Sequence, residues 1–513
     1  MMKRVLKFLT GRLFLFGLMI LLQIAWIILL VFDVSVRYQY FMLGIRVLAI
    51  LISFYVVTRW SNPSVKLSWI FFITAVPIIG VPLYLIFGRP GLTRATRRRM
   101  DAVNAGIEGY LTVDESLRQT FQSKHPQASL QSDYILHASH YPLYTHTDSQ
   151  YFPCGEDFFE ALLSDISQAE HFIFLEYFIF DQGSMYDRLM DALVQKVKEG
   201  VEVRLIYDDV GCIQNMPPHF YRQLQAQGIK CAAFNPARPI LSIIMNHRDH
   251  RKITVIDGKI AYTGGINIAD EYINEMDRFG YWKDAGIRLQ GVAARSFLVM
   301  FLEMWDYIVG GASNYEKLFA LTEQASSDSC DGYVQPYGDT PLDHENVSEN
   351  TYLNMINRAT KYVYIYTPYL ILDQEMIVAL SNAAKSGVDV RIITPGIPDK
   401  KMIYLLTRSH YEPLLKKGVR IFEYSPGFLH AKCFACDDSY ATVGSINLDY
   451  RSLYLHFECG VFLYHTTSVM QVADDMRQTL DVSREITLED CQHRHPLGMR
   501  MLHALLRLLA PLL

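Results

Sequence analysis

Three long apolar runs open the chain, and short apolar strands alternating with amphipathic helices fill most of its remaining length. Residues 13–32 (LFLFGLMILLQIAWIILLVF) carry no charge over the roughly 20 residues that a helix needs to cross a bilayer. Residues 40–58 form a second run, interrupted only by Arg46. A cleaved leader would have a shorter apolar core followed by small residues, whereas FDVSVRYQ follows the first run, so both are expected to be retained membrane helices. Residues 67–87 are long enough for a third span, but Pro77, Gly80 and Pro82 stand in the middle and free backbone groups there, which predicts a re-entrant or interfacial hairpin. Lys3, Arg4, Lys7 and Arg12 precede the first run, and Arg89, Arg94, Arg97, Arg98 and Arg99 follow the third. The positive-inside rule places both clusters in the cytoplasm, which suits two spans plus a hairpin and not three spans. The expectation is a multi-pass protein of the cell membrane whose remaining residues face the cytoplasm.

Beyond residue 100 the pattern repeats. HFIFLEYFIFD (171–181) is a β-rich run, SMYDRLMDALVQKVKEG has helical period, and VEVRLIYDD is a short strand. The same order returns as YVYIYTPYLILD (362–373), QEMIVALSNAAKSG and VDVRIITPG. Two lobes therefore follow the membrane region. Strand–helix–strand units of this length predict an α/β fold with two tandem, pseudo-symmetric lobes of mixed, mainly parallel sheet flanked by helices. The expected divisions are a membrane region at 1–100, lobes at 101–325 and 326–490, and an amphipathic segment at 491–513, with the polar stretch 323–350 as the linker. In the last segment Leu497, Met501, Leu502, Leu505, Leu508, Leu509 and Leu512 form a helical apolar stripe beside Arg494, Arg500 and Arg507. That stripe suits either an interfacial helix on anionic lipid or a helix docked on the lobes.

Composition narrows the chemistry. Half the residues are hydrophobic and the mean hydropathy is slightly positive at +0.09, the excess lying in the N-terminal runs. A net charge of −5 gives no global sign of a nucleic-acid binder. Among the eight cysteines, Cys433 and Cys436 form a Cys-x-x-Cys without a second pair at zinc-site spacing, and read best as small core residues.

One sparse polar signature occurs once in each lobe, and the copies are 180 positions apart. The first is His250, Lys252, Asp257, Gly264, Gly265, Asn267; the second is His430, Lys432, Asp437, Gly444, Ser445, Asn447. Alternation along a strand puts each His and Lys on one face. Displacement at a phosphodiester needs a nucleophile, an acid for the leaving alkoxide and cations for the non-bridging oxygens. Imidazole supplies the first two near neutral pH. Lys252 and Lys432 are expected to hold phosphoryl oxygens, with Asn267, Asn447 and Ser445 beside them. Asp257 and Asp437 belong to this catalytic set as orienting or charge-balancing groups. Glu458 is expected to fix the His430 ring, and Asp284 to fill the matching role in the first lobe. With no cluster of carboxylates for Mg²⁺ or Zn²⁺, the chemistry is expected to need neither metal nor cofactor.

The duplicated signature resembles that of the phospholipase D superfamily. Within it, the N-terminal block ending PLYLIFGR, the phrase NHRDHRKITVIDGKIAYTGGINIADEY and the tail RLLAPLL resemble the bacterial cardiolipin synthases. The resemblance implies a phosphatidyltransferase working on phosphatidylglycerol at the bilayer. One His forms a covalent phosphatidyl-histidine and the other protonates departing glycerol, then activates a hydroxyl of a second phosphatidylglycerol. In related enzymes the N-terminal copy often attacks, which favours His250 as nucleophile and His430 as acid/base. Ser445 in place of a second Gly is a change the family shows in its second half; His456 stands where the family pattern suggests Asn. Four rivals remain. A hydrolase, or a transferase with another headgroup, would share the intermediate and is separated by its products. A nuclease would need a basic, aromatic-lined groove. A non-catalytic lipid-binding scaffold would show no turnover.

Overall fold

The computed structural model describes residues 21, 25, 39–59, 62–88, 94–236, 247–322, 331–343, 345–492 and 497–512. Apart from Leu21 and Ala25, the first apolar run lies outside them. The second run is helix α1 (Gln39–Thr58), 20 residues with a mean hydropathy of 2.2 and most of its apolar surface exposed, long and apolar enough to cross a membrane. The third run is two short helices, α2 (Pro63–Ala75) and α3 (Pro77–Phe87). Pro77 pushes the preceding Val76 out of helical geometry, so the chain turns there. At 13 and 11 residues, each helix is roughly 20 Å long or less, too short for a 30 Å core. They fold against α1 around Ala49, Ile52, Val56, Ile73, Val81 and Tyr84. A Cβ on Gly80 would lie 2.6 Å from the Phe72 carbonyl, so only glycine permits this approach.

The first half carries β1 (Thr147–Phe152), β2 (Phe172–Tyr177), β3 (Glu202–Asp208), β4 (Lys230–Phe234), the two-residue β5 (Arg248–Asp249), β6 (Ile253–Ile256), β7 (Ile260–Gly264), β8 (Tyr281–Lys283) and β9 (Gly286–Gly291), followed by helix α4 (Ala294–Val309). The second half carries β10 (Tyr333–Asp339), β11 (Tyr362–Tyr366), β12 (Asp389–Pro395), helix α5 (Lys401–Ser409), β13 (Arg420–Tyr424), β14 (Gly427–Leu429), β15 (Cys433–Cys436), β16 (Tyr440–Gly444), β17 (His456–Tyr464) and β18 (Ser483–Ile486), then helix α6 (Leu497–Leu509). The chain is thus mixed α/β.

The sheet orders are β1-β9-β7-β6-β2-β3-β4 and β10-β17-β16-β15-β11-β12-β13-β18. These sheets are mostly antiparallel, contrary to the expectation of mainly parallel ones. Helical crossovers make only β2–β3–β4 and β11–β12–β13 parallel. Each signature instead folds into a tight hairpin, β6–β7 or β15–β16, that pairs antiparallel on both sides.

Chain order and packing also diverge. The helix Pro126–Ser139, within the stretch assigned to the first lobe, packs on the second sheet: Gln335 donates to the carbonyls of Ser132 and Tyr141, and Tyr144 pairs with Val334. One continuous core joins Phe174, Phe297 and Phe301 of the first half to Tyr337, Val363 and Phe434 of the second. Cys433 and Cys436 are fully buried in this core, and burial pushes both thiols up.

The functional site between the lobes

The signature strands bring both histidines to the seam between the sheets by a matched pair of crossings. Strand β5, which leads into His250, pairs in parallel with the start of β17 in the other lobe; β14, which leads into His430, pairs in parallel with β8. The His250 N–H donates to the Phe457 carbonyl (3.0 Å) and the His430 N–H to the Lys283 carbonyl (2.7 Å). Each accepting carbonyl directly precedes a buried carboxylate, Glu458 or Asp284.

Those carboxylates are exchanged between lobes. His250 Nδ1 donates to Glu458 Oε1 and Oε2 (2.9 and 3.1 Å), and His430 Nδ1 donates to Asp284 Oδ2 (2.7 Å). Glu458 therefore holds His250, not the His430 of its own signature, and Asp284 serves His430. The lobes are placed so that each strand end faces its neighbour's histidine. A carboxylate on Nδ1 fixes the neutral tautomer that leaves the Nε2 lone pair free.

Burial and the nearby lysines push His250 well down, and His430 to about 4. Burial also lowers Lys252, to about 8, and Lys432, to about 7, the latter helped down by Lys252. Each lysine ammonium donates to the carbonyl of the His two residues before it, which fixes the side chain along the strand. Two lysines and two histidines thus share one buried seam, a set of groups whose chemistry suits an anion.

The other predicted residues fall into different places. Asp257 and Asp437 sit at the hairpin tips with positive φ (51° and 57°), away from the seam. Asp257 accepts the N–H groups of Glu170, His171 and Phe172, all at 2.8 Å, and Asp437 those of Thr360, Lys361 and Tyr362 at 2.6–2.9 Å. They tie the hairpins to the starts of β2 and β11 and do not reach the reacting groups. Ser445 Oγ donates to Glu458 Oε2 (2.5 Å), so it braces the carboxylate and not a phosphate. At the matching Gly265, a Cβ would lie 2.1 Å from Asp284 Oδ1, which explains Gly there and Ser here. Asn267 accepts from the Ile179 N–H and donates to Tyr272 Oη, leaving one amide N–H for a ligand. Asn447 is buried, and its Oδ1 has no partner.

Aromatic rings complete the walls: Phe178 lies 5.0 Å from the His250 ring, and Tyr272, Trp282 and Phe428 lie 5.4, 5.3 and 5.8 Å from that of His430. The sequence reading missed them. Trp282 had one signal, since alternation along β8 puts it on the face of Asp284. Arg251, between His250 and Lys252, points to the opposite side and pairs with Glu176 and Asp249. Behind it lies a cavity of about 590 Å³ lined by Tyr141, Arg251, Glu303, Asp339 and Phe457, on the far side of the strand from the signature histidines.

The sequence offered no metal cluster, yet among the described residues His250, His456 and Glu458 bring ligand atoms within 4.8 Å of one another. Hydrogen bonds already use this group. His250 Nδ1 is committed to Glu458, and His456 Nε2 accepts from Arg451 Nε (3.3 Å), which keeps the His456 proton on Nδ1, facing Glu458 Oε1 at 3.7 Å.

Comparison with known proteins gives this arrangement a family. A family model described as "Cardiolipin synthase, PLD-like domain" matches residues 162–278 and 352–480, one stretch per lobe, and "Phospholipase_D-nuclease N-terminal" matches 47–89. A cardiolipin synthase of a Geobacillus species is 33% identical over 475 residues, 90% of this chain and 92% of its own. The major cardiolipin synthase of Bacillus subtilis is 34% identical over 483 residues, 92% and 98% of the two chains. An uncharacterized protein of Streptococcus mutans is 42% identical over 460 residues, 90% and 99%. Among solved structures, the phosphatidylserine synthase of Haemophilus influenzae shares the fold, with a TM-score of 0.58 at 14% identity over 75% of this chain and all of that one. Two lobes, each with its own copy of the signature and the other's carboxylate, agree with these matches: the chain belongs to the cardiolipin synthase family of the phospholipase D superfamily.

Proposed function

We propose that the chain transfers a phosphatidyl group from one phosphatidylglycerol to another, giving cardiolipin and glycerol. The observation that carries this is the reciprocal hold of His250 by Glu458 and of His430 by Asp284, which leaves two Nε2 atoms beside two buried lysines. The names of the relatives supply the product, cardiolipin, and phosphatidylglycerol is the donor and acceptor that the released glycerol implies. His250 Nε2 attacks phosphorus and the P–O bond to glycerol breaks, with protonated His430 giving its proton to the departing oxygen. A lipid phosphate between Lys252 and Lys432 favours the charged form of His430 that this step needs. His430, now neutral, takes the proton of the acceptor's hydroxyl; that oxygen attacks phosphorus and the P–N bond breaks, regenerating His250. Asn267 and Asn447 line the phosphate, and positions 101–325 and 326–490 are the two catalytic lobes.

The same reading places the protein in the cell membrane as a multi-pass chain. The run 13–32 and α1 cross the bilayer, α2 and α3 form the hairpin, and the lobes face the cytoplasm. The test is purified protein in phosphatidylglycerol vesicles, read for cardiolipin and free glycerol in equal amounts. Phosphatidic acid in their place would make it a hydrolase, and no turnover would leave a scaffold. Acid-quenched adducts of labelled lipid should map to His250; a label on His430 would exchange the two roles.

A further inference from the structure

The last helix is docked on one side and bare on the other. Ser68 Oγ of α2 donates to the Leu508 carbonyl (2.5 Å), and Leu506 and Ala510 are buried with Ile371, Leu406 and Tyr450. Of the two sequence readings for this segment, docking accounts for the inner face alone. The outer face leaves Met501 68% and Leu505 45% exposed, beside the exposed Arg507. Packed against α6 is α5, whose first turn leaves Met402 55% exposed next to the exposed Lys401, and Ile397 just before it is 40% exposed.

Single exposed apolar residues are ordinary on a protein surface. This group differs because of what it joins. At one end, α6 reaches α2 and through it α1, the helix fit to cross the bilayer. At the other, Tyr369 packs against the α6 cluster while its hydroxyl donates to Asp399 (2.6 Å). The neighbouring Lys400 is close enough to help lower the His250 pKa. An apolar strip flanked by Lys400, Lys401 and Arg507 thus runs from the membrane helix to the site, with the mixture of apolar and cationic groups that suits an anionic leaflet.

We propose that the outer face of α6, together with Ile397 and Met402, rests in the surface of an anionic phospholipid leaflet and forms the ramp along which lipid enters the site. This rests on the lipid reading given above. Substrate in a bilayer must leave it to react, and a continuous apolar contact spares the acyl chains an exposed path through water.

The test compares wild type with a triple variant, Met402→Ser, Met501→Ser and Leu505→Ser, in the full chain, on two forms of one substrate. One is vesicles of long-chain phosphatidylglycerol; the other is short-chain phosphatidylglycerol below its micelle concentration. The variant should lose about tenfold in rate on vesicles and stay within twofold of wild type on the monomeric lipid. A vesicle rate within twofold of wild type overturns the ramp. So does an equal loss on both substrates, because α6 would then only support the site. Wild type inactive on both would count against the transferase reading instead. The ramp is then decided by a bimane label on Met501→Cys, corrected for labelling of the native chain. Doxyl-lipid in phosphatidylglycerol proteoliposomes should quench it, and absence of quenching overturns the proposal.

Discussion

Each signature imidazole depends on a single buried carboxylate for its tautomer, which makes that carboxylate a sensitive point for mutation. In Glu458→Gln or Asp284→Asn the amide N–H can donate to the ring and move its proton to Nε2, removing the attacking lone pair or the general base. Turnover should fall about 10²–10⁴-fold with little change in KM, measured by steady-state kinetics on phosphatidylglycerol. The lysines set the alkaline limb. Burial brings Lys432 to about 7 and Lys252 to about 8, so the free protein loses cationic charge here as pH rises through that range. A bound phosphodiester favours the charged forms. Accordingly kcat/KM should decline above pH 7–8 while kcat holds to higher pH, and coincident pH profiles would refute this. That each His shares a strand face with its Lys was readable from spacing, because spacing along a strand fixes a face, whereas Ser445, expected beside a phosphate, braces Glu458 instead. Which carboxylate holds which ring was not readable. That depends on how two strands from different lobes meet, and no local pattern encodes it.

At the scale of the hairpin, the signature Asp is a fastening and not a reactant. Asp257-Gly258 and Asp437-Asp438 both take positive φ at tight turns, and Lys259 and Ser439 close them onto Ile256 and Cys436. Asp-Gly between two apolar runs is a strong hairpin signal, and weighing it would have predicted the antiparallel pairing that the sequence reading missed. Asp257→Ala should lose three charge-assisted hydrogen bonds and strain the turn. The expected cost is about 2–4 kcal/mol of stability, with kcat nearly unchanged in the fraction that remains folded. A lowered melting temperature with normal turnover below it is the result to look for. The helix break at Val76 was legible for the opposite reason: proline acts through covalent geometry, whatever packs nearby.

At the scale of the whole molecule, the N-terminal helices are joined to the second lobe through a small buried acidic group. Asn62, at the head of α2, donates to Asp373 Oδ2 (3.0 Å) and Tyr454 Oη (2.8 Å), and Tyr454 Oη lies within hydrogen-bond distance of Glu349 Oε2 (2.7 Å) and Asp373 Oδ2 (2.6 Å), with one proton to give between them. Burial and the adjoining Asp373 push Glu349 up, to about 9, so the pair shares a proton at neutral pH. The folded state then holds more protons than the unfolded one between the ordinary Glu range and about pH 9. Its contribution is therefore full at low pH and lost as pH rises through about 9. Thermal unfolding in detergent should show stability falling from pH 7 to 10, and Glu349→Gln, which keeps a neutral side chain, should flatten that slope. Length and composition pointed to separate units, but the shared core and the helix Pro126–Ser139 lying on the second sheet bind them into one body. Chain order alone cannot reveal such packing.

The exchange of carboxylates gives the two halves a shared inheritance. Neither half contains a histidine together with the acid that orients it, so half the chain amounts to one protomer of a twofold pair. Cutting the backbone within the 323–350 connection should give two separately silent fragments. A histidine defect in the first should not be rescued by a second copy of that same fragment. For the same reason, a change at Ser445 or Glu458 is answerable to His250, and drift in either half is held in check by its counterpart.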